Sequence, residues 1–216
     1  MKKFLLTFVA FLFATGMIIA QQSNAEIKQI SNDNQAKVTQ EGRGQQAFVT
    51  QTGAGDNSST ISQVQGTKPG ETPTASNGSM ATVLQAGTRN VQKSSQEGFG
   101  NMLEVRQTGN DNVANFKQQL TFQDDAQTNH RQYQSGNENK AVASVKGSLN
   151  EGFQNQTGNL NFSDLTQTTA NNAAIMLQSG NRNRAISTQT ATNGDVLINQ
   201  SGNRNNANVL QTKSGS

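Results

Sequence analysis

The chain has 216 residues, of which 31% are hydrophobic and 5% aromatic, and it contains no cysteine. A composition this polar normally buries too little apolar surface to stabilise a globular core, and disulfides cannot compensate. The formal charge of +3 includes Lys2 and Lys3; the other 15 basic and 14 acidic side chains contain no basic run, which argues against nucleic-acid binding.

The first twenty residues have the pattern of a secretory signal peptide. Lys2 and Lys3 precede an apolar run over residues 4–20, and polar residues follow from Gln21. A basic start, a short apolar run and a small residue before the cleavage point are typical of such a peptide, whereas a transmembrane helix needs about 20 apolar residues. We predict export with cleavage after Ala20 or Ala25, and a short N-terminal segment over residues 21–24.

Residues 25–211 repeat the pattern Q-x-G-x-x-N-x-A-x-φ-x-Q, in which φ is apolar. Five of the seven intervals between the main copies are 22 residues, and each 22 divides into two elevens, of which the second is weaker. A fixed period of this length predicts a solenoid or array. The copies start at Gln40, Gln63, Gln85, Gln107, Gln134, Gln156, Gln178 and Gln200.

The alternation inside each eleven predicts one β-strand and one corner. The Asn, Ala, φ and Gln positions lie two residues apart, which is the period of one strand face. The glycine stands in the connector, where a corner needs a positive φ or a close backbone approach. We therefore predict an all-β fold, a parallel β-solenoid of about eight two-stranded rungs (strand, arc, strand) in an amyloid-like cross-β stack. The corner glycines are Gly42, Gly87, Gly109, Gly136, Gly158, Gly180 and Gly202.

Stacking of rungs explains the many amides at core positions. Equivalent strands one rung apart lie about 4.8 Å from each other, so identical amides can donate to and accept from the copies above and below. A buried amide is stable when it is paired in this way. We predict that Arg182, Arg184 and Arg204 point into solvent and that an amide ladder points inward. Its members are Gln40, Gln85, Gln107, Gln134, Gln156, Gln178, Gln200, Gln211, Asn90, Asn112, Asn139, Asn161, Asn183 and Asn205.

Three irregularities interrupt the array. Pro69 and Pro73 lie in residues 66–78, which we predict to be a loop because proline cannot donate to a β-ladder; the step from Gln63 to Gln85 is still 22 residues. An insertion of five residues lies around residues 118–123, and one extra residue precedes Gln63. We predict that one corner of the solenoid tolerates loops and that residues 212–216 form a C-terminal tail.

The repeats resemble the curlin repeat of bacterial curli, most clearly in QTGNDNVANFKQ, QSGNRNRAISTQ and QSGNRNNANVLQ, and the resemblance covers roughly residues 25–211. It implies a secreted structural subunit of extracellular amyloid fibres in the biofilm matrix, which supports cell adhesion. It also implies a nucleator subunit, periplasmic and outer-surface chaperones and an outer-membrane secretion pore as partners. The roles of major subunit, minor subunit and nucleator stay open.

No constellation of reactive side chains predicts an enzyme, a cofactor or a metal site. His130 is the only histidine and occupies an alanine position of a degraded copy, so we interpret it as a tolerated substitution; Asp124 and Asp125 lie in the insertion and indicate a solvated loop. Two other classes remain: a monomeric β-solenoid that binds surfaces or ice, and a disordered matrix linker. The regular period argues against the linker, and the missing Thr-x-Thr array argues against ice binding.

The two ends of the array predict head-to-tail polymerisation. The pattern begins at Ala25, Ile27 and Gln29 and finishes with a strand over residues 205–211. Self-contained repeat proteins need polar caps, and an uncapped strand edge is a template for another chain. Because the two ends are different surfaces, their contact is heterologous and builds a homopolymeric filament.

Overall fold

The computed structural model describes residues 23–65, 78–119 and 127–212, and these residues contain sixteen β-strands and no helix. The predicted signal peptide, most of the two predicted loops and most of the C-terminal tail lie outside the described residues. The strands are β1 (Asn24–Ile30), β2 (Gln35–Glu41), β3 (Gln46–Gly55), β4 (Ser58–Val64), β5 (Met80–Thr88), β6 (Val91–Glu97), β7 (Met102–Asn110), β8 (Val113–Gln119), β9 (Asn129–Ser135), β10 (Lys140–Lys146), β11 (Glu151–Thr157), β12 (Phe162–Gln167), β13 (Ala173–Ser179), β14 (Arg184–Gln189), β15 (Asp195–Ser201) and β16 (Asn206–Gln211).

The strands form two parallel sheets of eight. The odd-numbered strands follow one another in order in the first sheet, and the even-numbered strands do so in the second. We call these the odd sheet and the even sheet. Each rung contributes one strand to each sheet, and the corner between them turns the chain by half a circuit. The predicted parallel β-solenoid of about eight two-stranded rungs is confirmed.

Register keeps each repeat position in one column along the axis. In the odd sheet, Gln156 of β11 lies beside Gln134 of β9 on one side and Gln178 of β13 on the other. A shift of one residue would turn every inward side chain outward, so this register is strongly specified by the alternation in the sequence.

The step of 22 residues from Gln63 to Gln85 is not a stacking step, and this part of the predicted register is wrong. Gln63 lies in the even sheet and stacks on Gln96, 33 residues away, whereas Gln85 lies in the odd sheet and stacks on Gln51, 34 residues away. The stretch between β4 and β5 adds about half a repeat. The 22-residue spacing is therefore preserved, although the first glutamine of the step lies in the even sheet and the second in the odd sheet.

The two long interruptions follow β4 and β8, both in the even sheet, and so lie at the same corner. The single extra residue lies at the opposite corner, where the pairing of β3 with β5 shifts between Thr52 and Gly55. The two long interruptions therefore fall at one corner, while the other corner absorbs one residue within a strand irregularity.

The space between the sheets is filled by small and medium apolar side chains between the amide columns. Ala47 and Ala81 of the odd sheet and Ala114 and Ala185 of the even sheet are fully buried. Larger side chains, with Leu103 and Phe116 among the bulkiest, fill the gaps. This packing buries the amides, and most of them pair with stacked amides and strand carbonyls.

Candidate functional site: amide ladders and the ends of the solenoid

One glutamine column runs through all eight rungs of the odd sheet. Each glutamine Nε2 donates to Oε1 of the glutamine in the next rung, with N–O distances of 2.7–3.0 Å. All members except the half-buried Gln29 are buried. The column consists of Gln29, Gln51, Gln85, Gln107, Gln134, Gln156, Gln178 and Gln200.

The even sheet carries a second, interrupted glutamine column. Gln40 donates to Gln63 and Gln63 to Gln96, and a second run joins Gln167, Gln189 and Gln211. Between the runs, Gln118 donates to Asn101 Oδ1 instead of to the column, and Val145 takes the next glutamine position. The Oε1 atom of Gln167 is therefore buried without a partner in the described chain. Gln40 and Gln211 therefore belong to a different column from the other predicted glutamines, and both are half-buried because they lie in the end rungs.

An asparagine column follows the corner that leads from the odd to the even sheet. The backbone N–H of each asparagine donates to Oδ1 of the asparagine one rung earlier, at 3.0–3.1 Å. Six of its eight members are the predicted ones, of which Asn205 is half-buried in the last rung. The column consists of Asn34, Asn57, Asn90, Asn112, Asn139, Asn161, Asn183 and Asn205.

Backbone partners fix the direction of both kinds of column. Each odd-sheet glutamine from Gln51 onwards also donates through Nε2 to a strand carbonyl, at 3.0–3.1 Å. A carbonyl can only accept and a backbone N–H can only donate, so each amide has one orientation. Glutamine Nε2 therefore points towards the C-terminal end of the solenoid, and asparagine Oδ1 faces that end as an acceptor.

The corner glycines allow backbone to approach backbone. Gly136 has φ +114°, and a Cβ built on it would lie 2.0 Å from the carbonyl oxygen of Gly158. The same approach recurs at Gly87, Gly109, Gly158 and Gly180. Gly42 lies at the other corner, where its Cβ would meet the side chain of Gln65. Gly202, in the last rung, is exposed and meets only Asn205 Nδ2 at 3.7 Å.

Several features of these corners are missing from the sequence prediction. The residue before the inward asparagine is left-handed in every rung, although it is rarely glycine; Asp33, Arg89, Arg182 and Arg204 have φ between 55° and 60°.

A second, exposed asparagine column runs outside the inward one, and in it each backbone N–H donates to Oδ1 of the next rung at 2.9–3.0 Å. Its members are Asn110, Asn137, Asn159, Asn181 and Asn203. The repeated asparagine at the fourth position of the pattern could have predicted this second column.

The left-handed position also carries an ion pair between rungs. Arg89 donates to both carboxylate oxygens of Asp111, one rung later, at 2.6 and 2.7 Å. The hydrogen bond from Arg89 lowers the pKa of the Asp111 carboxyl below its usual value. Arg182, Arg184 and Arg204 are exposed, and the first and last of these lie in the same corner column as the pair.

His130 lies in the core at an alanine position, between Leu103 and Gly152 in register. Its ring stacks on Phe116 with centroids 4.7 Å apart, and Nε2 lies 3.2 Å from Gln154 Oε1. The missing side chain of Gly152 makes the room, since a Cβ there would lie 2.1 Å from His130 Nδ1. Burial lowers the pKa of His130 to about 4.

We expect the stability of the assembled protein to fall between pH 6.5 and pH 4. The unfolded histidine takes up a proton near its ordinary pKa of 6.5, whereas the buried one does so only near 4. Its contribution is thus complete above pH 6.5 and decreases by about 3 kcal/mol as the pH falls to 4. Guanidinium midpoints at pH 7.5 and 4.5 measure this. His130→Leu, which repeats the leucine of Leu103 in the same column, should remove that part of the difference; an unchanged pH dependence in His130→Leu would contradict the assignment.

The described residues contain no group of His, Asp and Glu that could hold a metal ion, and none of them belongs to a helix long and apolar enough to cross a membrane.

Residues 32–64 match the family model described as the curlin associated repeat. They span β2, β3 and β4. No curated protein and no solved structure matches the chain significantly. The match supports the resemblance seen in the sequence: residues 32–64 are similar to the curlin associated repeat, and this repeat and the solenoid fold fit a structural subunit of the curli type.

Proposed function

We propose that the protein is a secreted structural subunit that assembles head-to-tail into extracellular curli-type amyloid fibres of the biofilm matrix. The observation that carries this proposal is the pair of open ends. Within the described residues, no strand pairs with the outer edges of β1 and β2 at one end or of β15 and β16 at the other. An open edge of a parallel sheet is a template for a further strand.

Repetition makes one end fit the other. The inward side chains of β15 are Val196, Ile198 and Gln200, and the equivalent positions of β1, in register with the inward face of β3, are Ala25, Ile27 and Gln29. These are the same positions of the same repeat, so a second copy placed on β15 continues the columns without a break in register. Two copies that meet through equal ends could not do so, because the strands would run antiparallel or the corners would not coincide.

The setting of such a fibre is also part of the proposal. Residues 1–20 are proposed as the signal peptide, followed by residues 21–24, a solenoid over 25–211 with loops at 66–78 and 118–123, and a tail over 212–216. By resemblance, the partners are a nucleator subunit, chaperones and an outer-membrane pore. Exposed apolar side chains on the outer face of the odd sheet, with Ile175 43% and Leu197 68% exposed, support a role in adhesion.

Fibre formation by the purified protein tests the proposal. We expect fibres with a meridional reflection near 4.8 Å, a lag phase and removal of that lag by seeds. The lag follows from the need to order a first chain before a template exists. A monomeric surface-binding solenoid would show a β-rich spectrum without fibres, and a disordered linker would show neither; either result would refute the proposed function.

A further inference from the structure

The two ends differ in hydrogen-bonding polarity as well as in shape. At the C-terminal end, Gln200 Nε2 donates to Arg184 O, and Gln211 Nε2 to Asp195 O, but neither reaches a further glutamine in the described chain. At the N-terminal end, the glutamine columns begin with Gln29 and Gln40, whose Oε1 atoms accept from no described residue. Donors at one end thus face acceptors at the other.

The asparagine column has the opposite direction and fits as well. Asn34 Nδ2, in the first rung, is buried without a partner in the described residues. In the following rungs, the equivalent Nδ2 atoms of Asn57 and Asn90 donate to Oδ1 of the rung before. The missing partner of Asn34 is therefore the Oδ1 atom of an asparagine one rung earlier, a place that Asn205 of another copy can take.

Charge selects the same arrangement. The left-handed corner column begins with Asp33 in the first rung and finishes with Arg204 in the last, and both are exposed. The column already contains an arginine followed by an aspartate one rung later, the bidentate pair Arg89 and Asp111. A second copy stacked on the C-terminal end brings its Asp33 one rung beyond Arg204, in the same order and geometry.

We propose that successive subunits are joined by an ion pair between Arg204 of one copy and Asp33 of the next, in a register that also stacks Gln200 on Gln29, Gln211 on Gln40 and Asn205 on Asn34. This rests on the proposed function and adds the contact that selects the polarity of growth. The partner is a second copy of this chain. In the single chain, Arg204 lies one rung from Arg182 in this column, and the junction adds a carboxylate on its open side that offsets this like-charged neighbour.

Charge reversal in seeded growth tests the pair. We expect Arg204→Asp and Asp33→Arg each to raise the critical concentration about threefold to tenfold at about 0.01 M salt, because attraction at each junction becomes repulsion. The double variant restores the pair with exchanged charges and should return to within about twofold of the wild type. At about 1 M salt, where the Debye length is about 3 Å, the differences should disappear. Aspartate and arginine both occupy the left-handed conformation in this column, so neither change strains the backbone.

The matched control compares the removal of the positive charge at Arg204 with its removal at Arg182, one rung earlier. Arg204→Asn should weaken growth about twofold to threefold, whereas Arg182→Asn, at the same corner but inside the chain, should not. Normal fibres with equal critical concentrations for all variants would overturn the ion pair and leave the proposed function standing. A double variant no better than either single variant would overturn the register. Failure of the wild type to form fibres would instead remove the proposed function itself.

Discussion

Gly136→Ala should strain the corner of the fifth rung, between β9 and β10. The new Cβ would lie 2.0 Å from the backbone oxygen of Gly158, and φ at this position is +114°. Neither backbone atom can move without breaking the strands on both sides of the corner. Strain and overlap together should cost roughly 2–6 kcal/mol. The measurement is the guanidinium midpoint of the assembled protein, together with its yield of fibres.

The control for this substitution uses the neighbouring strand. Ser135 is exposed one residue before the glycine, and Ser135→Ala changes neither a corner nor an inward column. We expect its free energy of unfolding to stay within about 0.5 kcal/mol of the wild-type value. If Gly136→Ala were as harmless as Ser135→Ala, close backbone stacking at the corners would not be what holds the rungs together.

Gln156→Ala should weaken the assembly from within the odd-sheet column. Gln156 accepts from Gln134 and donates to Gln178 and to the carbonyl of Lys140. Its removal leaves a buried donor and two buried acceptors short of a partner, together with a cavity where water is excluded. We expect a loss of roughly 2–5 kcal/mol, measured as the shift in the denaturant midpoint, and slower seeded growth.

Asn155 provides the matched comparison because it is the adjacent residue on the opposite face of β11. Asn155→Ala removes an amide of similar chemistry from the outer surface and should change stability by less than about 0.5 kcal/mol. Equal losses from the two substitutions would show that the inward amides are not structural, and the amide ladder would no longer explain the stability of the stack.

The sequence predicts which residues of successive rungs stack because it contains both the two-residue period of a strand and the 22-residue period of the array. Inward residues recur every two positions in a strand and every 22 in the array, so Gln178 and Gln200 could be placed one above the other. The phase of the first rungs was not predictable in the same way. The stretch between β4 and β5 adds about half a repeat. The 22-residue spacing from Gln63 to Gln85 therefore persists although the two glutamines lie in different sheets. This change of sheet is seen in the pairing of Gln63 with Gln96.

The corner chemistry was harder to predict for a physical reason. The left-handed position is occupied by Arg89, Leu160, Arg204 and others, and arginine and leucine do not favour this conformation on their own. Stacked neighbours hold that conformation rung after rung. The ion pair of Arg89 with Asp111 depends on that geometry, and so it could not be recognised before the two rungs were aligned.

The most direct test of head-to-tail stacking asks which ends of two chains meet in the fibre. The protein has no cysteine, so Lys28→Cys in one preparation and Asn199→Cys in another each introduce a single exposed thiol on the outer face of the odd sheet. Within one chain these positions are seven rungs apart, roughly 34 Å. In the proposed junction they are neighbours at about 4.8 Å, inside the Cα separation that a disulfide needs. Oxidation of mixed fibres should give dimers that contain one chain of each variant, and fibres of either variant alone should give none. Dimers in fibres of a single variant, or mixed fibres without any cross-link, would contradict head-to-tail stacking.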